Sequence, residues 1–396
     1  MVNKSVLIVG YWYLPNNSAR TFHTQGLINS LLDHKYNVDL VVPSENNNIS
    51  VIKISDQFTI HKIKKGFLLN KPSNSRMYSN NLEIKNSFKH FLKKFIWPDK
   101  TIEWTINSYR YINKNLNISN YDCLITIGLP ISSHITGALI KKLKPSIIWL
   151  ADYGDPYTHN PARSKEKRAI DPVLEKMIIK EANYIIIPHS ETLKAYTDLN
   201  IPREKIRVIP QLFQYTPVSA DYFINDKLTN LIYAGTLYED IRNPKEFLLG
   251  YLNAFKKRKD LSLHFFGEER DFYYFFKQIT NCNPATYNIR VNPYIPRNEL
   301  LDIFKKMDIL VNINNKSSLQ LPSKLIDYVH SGKPILNIGR ELNKEFLNVP
   351  NNHEFITEFL VNYNKNEQKV DYQKLLDFYN YKNNSLKYIS LLKERD

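Results

Sequence analysis

Cysteine is scarce in this chain, which has two in 396 residues, Cys123 and Cys282. This scarcity excludes a disulfide scaffold and a cysteine-rich zinc module, and it suits a reducing compartment. The sequence also lacks an apolar run near the ~18–20 residues that a membrane-spanning helix needs. The short apolar run at residues 6–9 predicts a buried strand and not a secretory signal. We therefore predict a cytoplasmic location.

Acidic residues are outnumbered, with 39 against 54 basic residues and a formal net charge of +15. The excess falls in the first half, because residues 1–220 carry 29 basic and 17 acidic residues, whereas residues 221–396 carry 25 and 22. Residues 61–100 alone have 10 basic and 2 acidic residues. This imbalance favours an anionic partner, whether a membrane, a nucleic acid or a phosphorylated substrate. The alternative is a solvated lysine-rich surface.

The aromatic and basic residues suit a membrane surface better than a nucleic acid. No nucleic-acid-binding motif or interleaved aromatic–basic repeat is present. Residues 88–97 place apolar side chains on one helical face and lysines elsewhere, which is typical of a helix lying on an anionic bilayer. These side chains are Phe88, Phe91, Leu92 and Phe95, with Lys89, Lys93 and Lys94. We predict peripheral association with the inner face of the cytoplasmic membrane; a core-facing stripe is the alternative.

Continuous β-branched runs alternate with helical patterns in two successive sets. Residues 6–9 and 38–42 flank a helical pattern at 21–34, which is the pattern of a βαβ unit in a parallel sheet. A second set begins at residues 231–234 and continues to 334–338. The sequence therefore predicts an α/β fold of two Rossmann-like, doubly wound parallel-sheet domains that face each other across a cleft.

Three segments follow from this division. Residues 1–215 form the predicted first domain with its basic membrane-facing segment, and residues 216–375 form the predicted second domain. Residues 376–396 form a C-terminal helix that is predicted to pack back on the first domain. Ligands of such sheets bind at the carboxyl ends of strands, near helix N-termini that favour anions.

Residues 321–336, Leu-Pro-Ser-Lys-Leu-Ile-Asp-Tyr-Val-His-Ser-Gly-Lys-Pro-Ile-Leu, resemble the donor-site segment of glycosyltransferases with the GT-B fold, particularly glycosyltransferase family 4. Residues 232–237, 292–301 and 307–311 resemble that family's other landmarks in the expected order. Residues 6–20 resemble its first strand and acceptor-side loop.

The resemblance implies a retaining hexosyl- or N-acetylhexosaminyl-transferase that uses a UDP-sugar as co-substrate and no other cofactor. The implied acceptor is a lipid-linked glycan or oligosaccharide in bacterial surface polysaccharide assembly, of the capsule or lipopolysaccharide type. Two alternatives stay open: a nucleotide-sugar 2-epimerase of the same fold, and an inactive GT-B scaffold subunit.

A nucleotide-sugar donor carries a diphosphate, which favours a helix N-terminus and fixed cations. Ser323 lies where a helix should begin and is a candidate cap, and Lys324 follows in the first turn. The resemblance assigns Asp327 to the donor ribose. The alternative for Lys324 and Asp327 is a surface ion pair, since residues three apart are neighbours on a helix.

Arg242 and Lys245 form a second predicted cationic pair around the diphosphate. Thr236 occupies the position where the family often has an arginine, so Arg242 is expected to supply that charge from the loop; an exposed basic loop is the alternative. The resemblance also predicts a nucleobase contact by three consecutive residues, whose alternative is an ordinary strand exit. These are Tyr294, Ile295 and Pro296.

The first domain supplies the candidate acceptor and catalytic residues. Residues 15–20 form the loop where the family usually has glycines, so Asn16, Asn17 and Ser18 must act there through their side chains. Arg20 could face an acceptor phosphate or the donor. Asp152 and Asp155 follow a predicted strand, and either carboxyl could orient the acceptor hydroxyl or the donor sugar, or act as a general base. A helix-capping role is the alternative for Asp155.

The sequence departs from the family at two positions. Leu319 stands eight residues before Asp327, where the family has the first glutamate of its carboxylate pair. The segment from Asp152 to Asp155 replaces a histidine that the family often carries. These departures leave the stereochemistry open and are the basis of the inactive-scaffold alternative. No Asp-x-Asp motif or histidine spacing predicts a metal site.

Overall fold

The structure is a computed structural model, and it describes residues 4–66, 98–99, 101–158, 160, 170–239, 241–316, 322–367 and 370–394. The chain forms two compact units, Met1–Phe213 with Tyr381–Asp396, and Gln214–Asn380. The sequence places the boundaries after residues 215 and 375, and the structure divides the chain after Phe213 and Asn380. The predicted interfacial helix at 88–97 and Leu319 lie outside the described residues.

An eight-stranded sheet forms the centre of the first unit. Its strands are β1 (Ser5–Gly10), β2 (Asn37–Pro43), β3 (Ser50–Ser55), β4 (Phe58–Ile63), β5 (Cys123–Ile127), β6 (Ile148–Asp152), β7 (Tyr184–Ile187) and β8 (Ile206–Val208). Their order is β3-β4-β2-β1-β5-β6-β7-β8, and all neighbours are parallel except β3 and β4. β5 and β6 are buried along their whole length because helices cover both faces of a parallel sheet.

Helices follow the strands of the first unit in the expected alternation. They are α1 (Ala19–Asp33), α2 (Ile102–Asn115), α3 (Ser132–Leu143), α4 (Asp171–Ile179) and α5 (Leu193–Thr197). Gly26 lets α1 approach the end of the unit closely, because a Cβ there would lie 1.9 Å from the carbonyl oxygen of Leu212.

The second unit repeats the pattern around a six-stranded parallel sheet. Its strands are β9 (Thr229–Ala234), β10 (Leu261–Phe266), β11 (Ile289–Asn292), β12 (Ile309–Ile313), β13 (Ile335–Ile338) and β14 (Leu347–Val349), in the order β11-β10-β9-β12-β13-β14. Its helices are α6 (Lys245–Lys257), α7 (Glu269–Lys277), α8 (Arg297–Lys306), α9 (Lys324–Ser331), α10 (His353–Asn362) and α11 (Gln373–Phe378).

The last helix, α12 (Tyr381–Leu391), belongs to the first unit. Tyr381 donates its hydroxyl hydrogen to the carbonyl oxygen of Gly26 at 2.9 Å, which joins α12 to α1. None of the helices in the described part of the chain has the length and apolar character needed to cross a bilayer.

The two sheets confirm the predicted fold class of two Rossmann-like parallel-sheet domains. In each unit the strands end at one edge of the sheet, and the candidate residues follow those ends. Asp152 is the last residue of β6, and Lys324 is the first residue of α9. The fold therefore provides one candidate site at the carboxyl edge of each sheet.

Candidate functional site

Lys324 places a buried ammonium group at the carboxyl edge of the second sheet. Its Nζ donates to the carbonyl oxygens of Ala234 and Val311, each at 3.3 Å, and lies 3.9 Å from the centre of the Tyr233 ring. Burial lowers the pKa of Lys324 well below its usual range, and the charge of Arg242 lowers it further. Among the described residues, two backbone carbonyl groups and the face of the Tyr233 ring thus hold the Lys324 side chain, and no carboxylate does so.

Arg242 brings a second cation to the same edge. Its Nε and Nη2 donate to Oδ1 of Asn315 at 3.0 and 2.8 Å. Among the residues that the structure describes, neither Arg242 nor Lys324 has a carboxylate partner. Gly235, with φ of +124°, makes the turn after β9 that leads into this loop. Two neighbouring cations that lack a counter-ion form a natural site for an anion.

The positions of Lys245 and Ser323 differ from those that the sequence predicts for residues that bind the diphosphate. Lys245 is exposed at the first residue of α6, and no described side chain ties it to Arg242. The predicted cap by Ser323 is wrong, because its hydroxyl makes no capping hydrogen bond to α9. Its backbone is already helical, with φ −60° and ψ −24°, whereas a capping residue is usually extended.

Asp327 forms an ion pair with Arg297. Both carboxylate oxygens accept hydrogen bonds from this guanidinium, Oδ2 from Nε at 3.0 Å and Oδ1 from Nη2. Arg297 also donates to the carbonyl oxygen of Gln214 at 3.0 Å. Burial raises the pKa of Asp327 and the charge of Arg297 opposes that rise. The alternative of a Lys324–Asp327 surface pair is therefore wrong, and the carboxylate anchors the start of the second unit.

The predicted nucleobase segment lies between β11 and α8. Tyr294 is half exposed, and its hydroxyl and that of Thr236 are 2.7 Å apart, which joins this segment to the loop after β9. Ile295 is partly buried, and Pro296 is exposed directly before α8. Thr236 thus contacts Tyr294, while the charge of Arg242 lies near Lys324.

In the first unit, Asp152 is a buried carboxylate with three donors. Arg20 donates from Nη2 to Oδ1 at 2.5 Å, His23 donates from Nε2 to Oδ2 at 2.8 Å, and the Tyr388 hydroxyl also donates to Oδ2. Burial raises the pKa of Asp152, but His23 and Arg20 outweigh it and hold the pKa below its usual range. These contacts are those of a permanent structural anion, and they leave Asp155 as the candidate catalytic carboxyl.

His23 is neutral in this network. The backbone N–H of Leu212 donates to its Nδ1 at 2.9 Å, so the ring proton is on Nε2, which faces Asp152. Burial lowers the pKa of His23, in agreement with this tautomer. Asp152 therefore connects α1, β6, the end of the first unit and α12 through one buried charge.

Arg20 and His134 carry buried N–H groups that have no hydrogen-bond partner among the described residues. They are Nε and Nη1 of Arg20 and Nε2 of His134. The Thr126 hydroxyl accepts from Trp149 at 2.9 Å and lies 2.7 Å from Nδ1 of His134. We assign the hydroxyl as the donor to Nδ1, and this assignment places the His134 proton on Nε2. Buried donors that lack acceptors are costly, and such groups mark places where a ligand oxygen can bind.

Two glycines leave room beside these donors. A Cβ at Gly128 would lie 2.6 Å from Nε2 of His134, and a Cβ at Gly154 would lie 3.0 Å from Cδ of Arg20. Both glycines are in loops that follow strands, Gly128 after β5 and Gly154 after β6.

Asp155 follows Gly154 in the same loop. Burial raises its pKa to about 6, against the opposing charge of Arg20. No described side chain donates a hydrogen bond to this carboxyl. A carboxyl with a pKa near neutrality and no side-chain donor among the described residues can accept a proton or a hydrogen bond from a substrate hydroxyl.

The remaining predicted acceptor residues lie at the start of α1. Asn17 is exposed in the loop before the helix, whereas Ser18 caps α1 by accepting from the backbone N–H of Thr21 at 3.2 Å. Arg20 is buried and points to Asp152, so the three residues do not form one surface. Ser18 therefore lies in the predicted loop, but its hydroxyl caps helix α1.

Sequence reasoning missed Tyr233, Asn315 and Arg297 in the second unit and His134 and Tyr388 in the first. Tyr233 had a usable signal, because it precedes the strand end at Ala234. The others come from distant parts of the chain and have no spacing that predicts their contacts. No group of three metal-binding side chains is present in the described part of the chain.

Comparison with solved structures identifies the fold of this chain. No protein-family model and no curated protein sequence matches the chain. It is similar to solved structures of Anabaena HepE in complex with UDP and glucose (TM-score 0.62, 8% identity, 99% of this chain and 100% of that one) and of the trehalose-6-phosphate synthase OtsA (0.68, 10%, 99% and 100%). It is also similar to the lipopolysaccharide outer core galactosyltransferase WaaB (0.51, 13%, 97% and 99%).

These identities are low, but the matches span nearly the whole length of both chains in each pair. The chain has the GT-B fold of these glycosyltransferase structures.

Proposed function

We propose that this protein is a glycosyltransferase that moves a sugar from a UDP-sugar to a lipid-linked glycan in bacterial surface polysaccharide assembly. The observation that carries the proposal is the pair of cations at the carboxyl edge of the second sheet. Lys324 donates to the carbonyl oxygens of Ala234 and Val311 on two strands, and Arg242 lies in the loop after β9. Neither cation has a carboxylate partner among the described residues. A diphosphate supplies the missing negative charge.

The donor is proposed to bind to the second unit. Arg242 and Lys324 hold the diphosphate and stabilise its charge as the bond to the anomeric carbon breaks. Tyr294 lies beside this edge and is the proposed contact for the base. UDP is the proposed carrier because HepE, which has the same fold, is in complex with UDP. The UDP-sugar is a substrate, and no cofactor is proposed.

The acceptor hydroxyl is proposed to bind to the first unit. Asp155 accepts its hydrogen bond, while the unpartnered N–H groups of Arg20 and His134 donate to neighbouring acceptor oxygens. The new bond forms between the acceptor oxygen and the anomeric carbon as the diphosphate leaves. With retention of configuration, which the resemblance implies, the departing diphosphate takes the acceptor proton and Asp155 orients the hydroxyl.

Asp155 also favours transfer over epimerisation, because a buried carboxyl with a pKa of about 6 suits an acceptor hydroxyl. The net charge of +12 in residues 1–220 (29 minus 17) favours an acceptor with an anionic carrier and peripheral membrane association. A polyprenyl diphosphate would supply both a lipid and a negative charge.

The test is release of UDP from a panel of UDP-sugars, with and without membrane extracts that contain lipid-linked acceptors. We expect acceptor-dependent release with one sugar, a kcat loss of at least 100-fold in Asp155→Asn, and a raised KM in Lys324→Ala. The anomeric configuration of the product, read by NMR, tests retention. Interconversion of two UDP-sugars without acceptor would identify an epimerase, and UDP binding without turnover would favour the inactive scaffold.

A further inference from the structure

Helix α4 exposes two aliphatic side chains and buries two carboxylates. Val173 and Met177 are each 63% exposed, whereas Asp171 and Glu175 are fully buried beside the core residues Ile178 and Ile179. A surface helix normally buries its aliphatic side chains and exposes its carboxylates. The exposed pair and the buried carboxylates therefore each require an explanation.

The buried carboxylates support the loop that follows β6. Glu175 accepts from the backbone N–H groups of Tyr157 at 3.3 Å and Thr158 at 2.8 Å, and from the Thr158 hydroxyl. Asp171 accepts from the Tyr157 hydroxyl at 3.3 Å. These bonds explain the two buried carboxylates, but nothing within the described part of the unit covers Val173 and Met177.

An apolar groove of about 590 Å³ lies between α3 and α4, beside the exposed side chains. Its aliphatic lining includes Ile135, Leu139, Leu174 and Ile178. Ile170 and Leu143 extend the apolar surface at its ends, with 52% and 47% of their surfaces exposed. The surface is thus an apolar strip continuous with a groove and not a set of isolated side chains.

Lysines surround this α3–α4 surface. Lys142, Lys176 and Lys180 are exposed there, and Glu181 is an acid beside them, 3.7 Å from Lys180. Apolar side chains ringed by lysines match the interface of a bilayer that contains anionic lipids, where the aliphatic groups enter the acyl boundary and the ammonium groups meet the headgroups. A protein partner would need acidic groups placed opposite each lysine.

We propose that the α3–α4 surface docks on an anionic lipid bilayer. This rests on the proposed lipid-linked acceptor and names the surface that reaches it. Glu175 connects the docked helix to Thr158, three residues after Asp155, so the loop that carries the candidate catalytic carboxyl is fixed to the membrane-facing helix. The surface is separate from the sequence-predicted helix at 88–97.

The experiment is cosedimentation of the full chain with vesicles of phosphatidylglycerol and phosphatidylcholine, and with phosphatidylcholine alone. We expect binding to the anionic vesicles and at least a tenfold lower partition for Val173→Asp. Val218→Asp is the matched control, because Val218 is 50% exposed in the second unit. The triple change Lys142→Gln, Lys176→Gln and Lys180→Gln should also reduce binding, whereas Lys256→Gln, Lys257→Gln and Lys277→Gln should not.

Equal sedimentation of Val173→Asp and wild type would overturn the proposal, as would a wild type that does not bind anionic vesicles. A wild-type dimer that Val173→Asp converts to a monomer, without vesicle binding, would assign the surface to a second copy instead. Thermal stabilisation by UDP, measured on the same variants, separates the two proposals. If UDP stabilises all variants and no variant binds vesicles, the proposed membrane-docking surface is excluded and the proposed transferase activity is not. If vesicles bind and UDP has no effect, the proposed transferase activity is excluded and the docking surface is not.

Discussion

Tyr388, on the last helix, donates its hydroxyl hydrogen to Asp152, which ends β6 and lies 236 residues earlier in the chain. The same carboxylate holds Arg20 and His23 from α1. The C-terminal helix therefore does more than cover the first unit, because it completes the network that fixes Arg20 beside Asp155. The position of the candidate acceptor site depends on both ends of the chain.

Tyr388→Phe should destabilise the first unit by about 1–2 kcal/mol, because Oδ2 of Asp152 loses a buried donor and keeps only His23. Chemical denaturation monitored by circular dichroism measures the change. Leu386→Ala, on the exposed side of the same helix, is the control and should change stability by less than about 0.5 kcal/mol. An unchanged stability of Tyr388→Phe would show that the network does not depend on α12.

Asp155→Asn should stabilise the protein while removing transfer. The folded pKa of Asp155 is raised from 3.8 to about 6, so its contribution to stability is present at low pH and is lost as the pH rises to about 6. Removing this ionisation should gain roughly 2–3 kcal/mol at pH 7.5, and the gain should shrink as the pH falls towards 4. Denaturation at both pH values measures it, and a pH-independent difference would contradict the shifted pKa.

The rate of sugar transfer should depend on pH through the ionisation of Asp155. With Asp155 as the hydrogen-bond acceptor, kcat/KM of the wild type rises with pH and levels off above a pKa of about 6. The profile should be absent from the residual activity of Asp155→Asn. An identical profile in the variant would assign the ionisation to another group.

Donor binding should take up protons at pH values above the lowered pKa of Lys324. The pKa of Lys324 is lowered by burial and by Arg242, and a bound diphosphate would raise it again. Binding should therefore weaken as the pH rises above the lowered pKa, and calorimetry of UDP in buffers of different ionisation enthalpy should show proton uptake. Lys324→Met should abolish the uptake, and its persistence in that variant would exclude Lys324 as the source.

Asp327→Asn should act on stability and not on ribose recognition. Removing one partner of the buried Asp327–Arg297 pair should cost about 3–5 kcal/mol. The ratio of affinities for UDP and 2′-deoxy-UDP should stay unchanged, because Arg297 already occupies both carboxylate oxygens. Isothermal titration at low temperature measures the ratio. A ratio that falls to one in the variant would restore the ribose role that the resemblance assigns to Asp327.

Sequence reasoning predicts the fold because the strands are continuous β-branched runs with helices between them. It also names Arg242 as a second cation beside Lys324, and the structure brings the two charges near each other. The role of Arg242 in donor binding stays a prediction. The order of strands in the first sheet and the antiparallel β3 are not predictable in this way, since they depend on tertiary pairing.

The candidate sites were harder to predict than the fold. Asp152 and Asp155 lie three residues apart and have the same residue type, and burial raises the pKa of both carboxyls. His23 and Arg20 outweigh burial at Asp152 and lower its pKa, whereas at Asp155 burial outweighs the charge of Arg20 and the pKa is raised. The difference comes from the hydrogen bonds that His23 and Arg20 donate to Asp152 across 129 and 132 residues of the chain. No local pattern in the sequence carries that information.

The most direct test is thermal stabilisation by UDP, GDP, CDP and dTDP, with the matching monophosphates as controls. We predict that one diphosphate, UDP, stabilises the wild type more than its monophosphate does. Arg242→Ala and Lys324→Ala should each weaken that binding by about 10- to 100-fold, whereas Lys257→Ala, an exposed lysine on α6, should bind as wild type does. Stabilisation by none of the diphosphates, or equal stabilisation in Arg242→Ala and Lys324→Ala, would contradict a donor site at this edge of the second sheet.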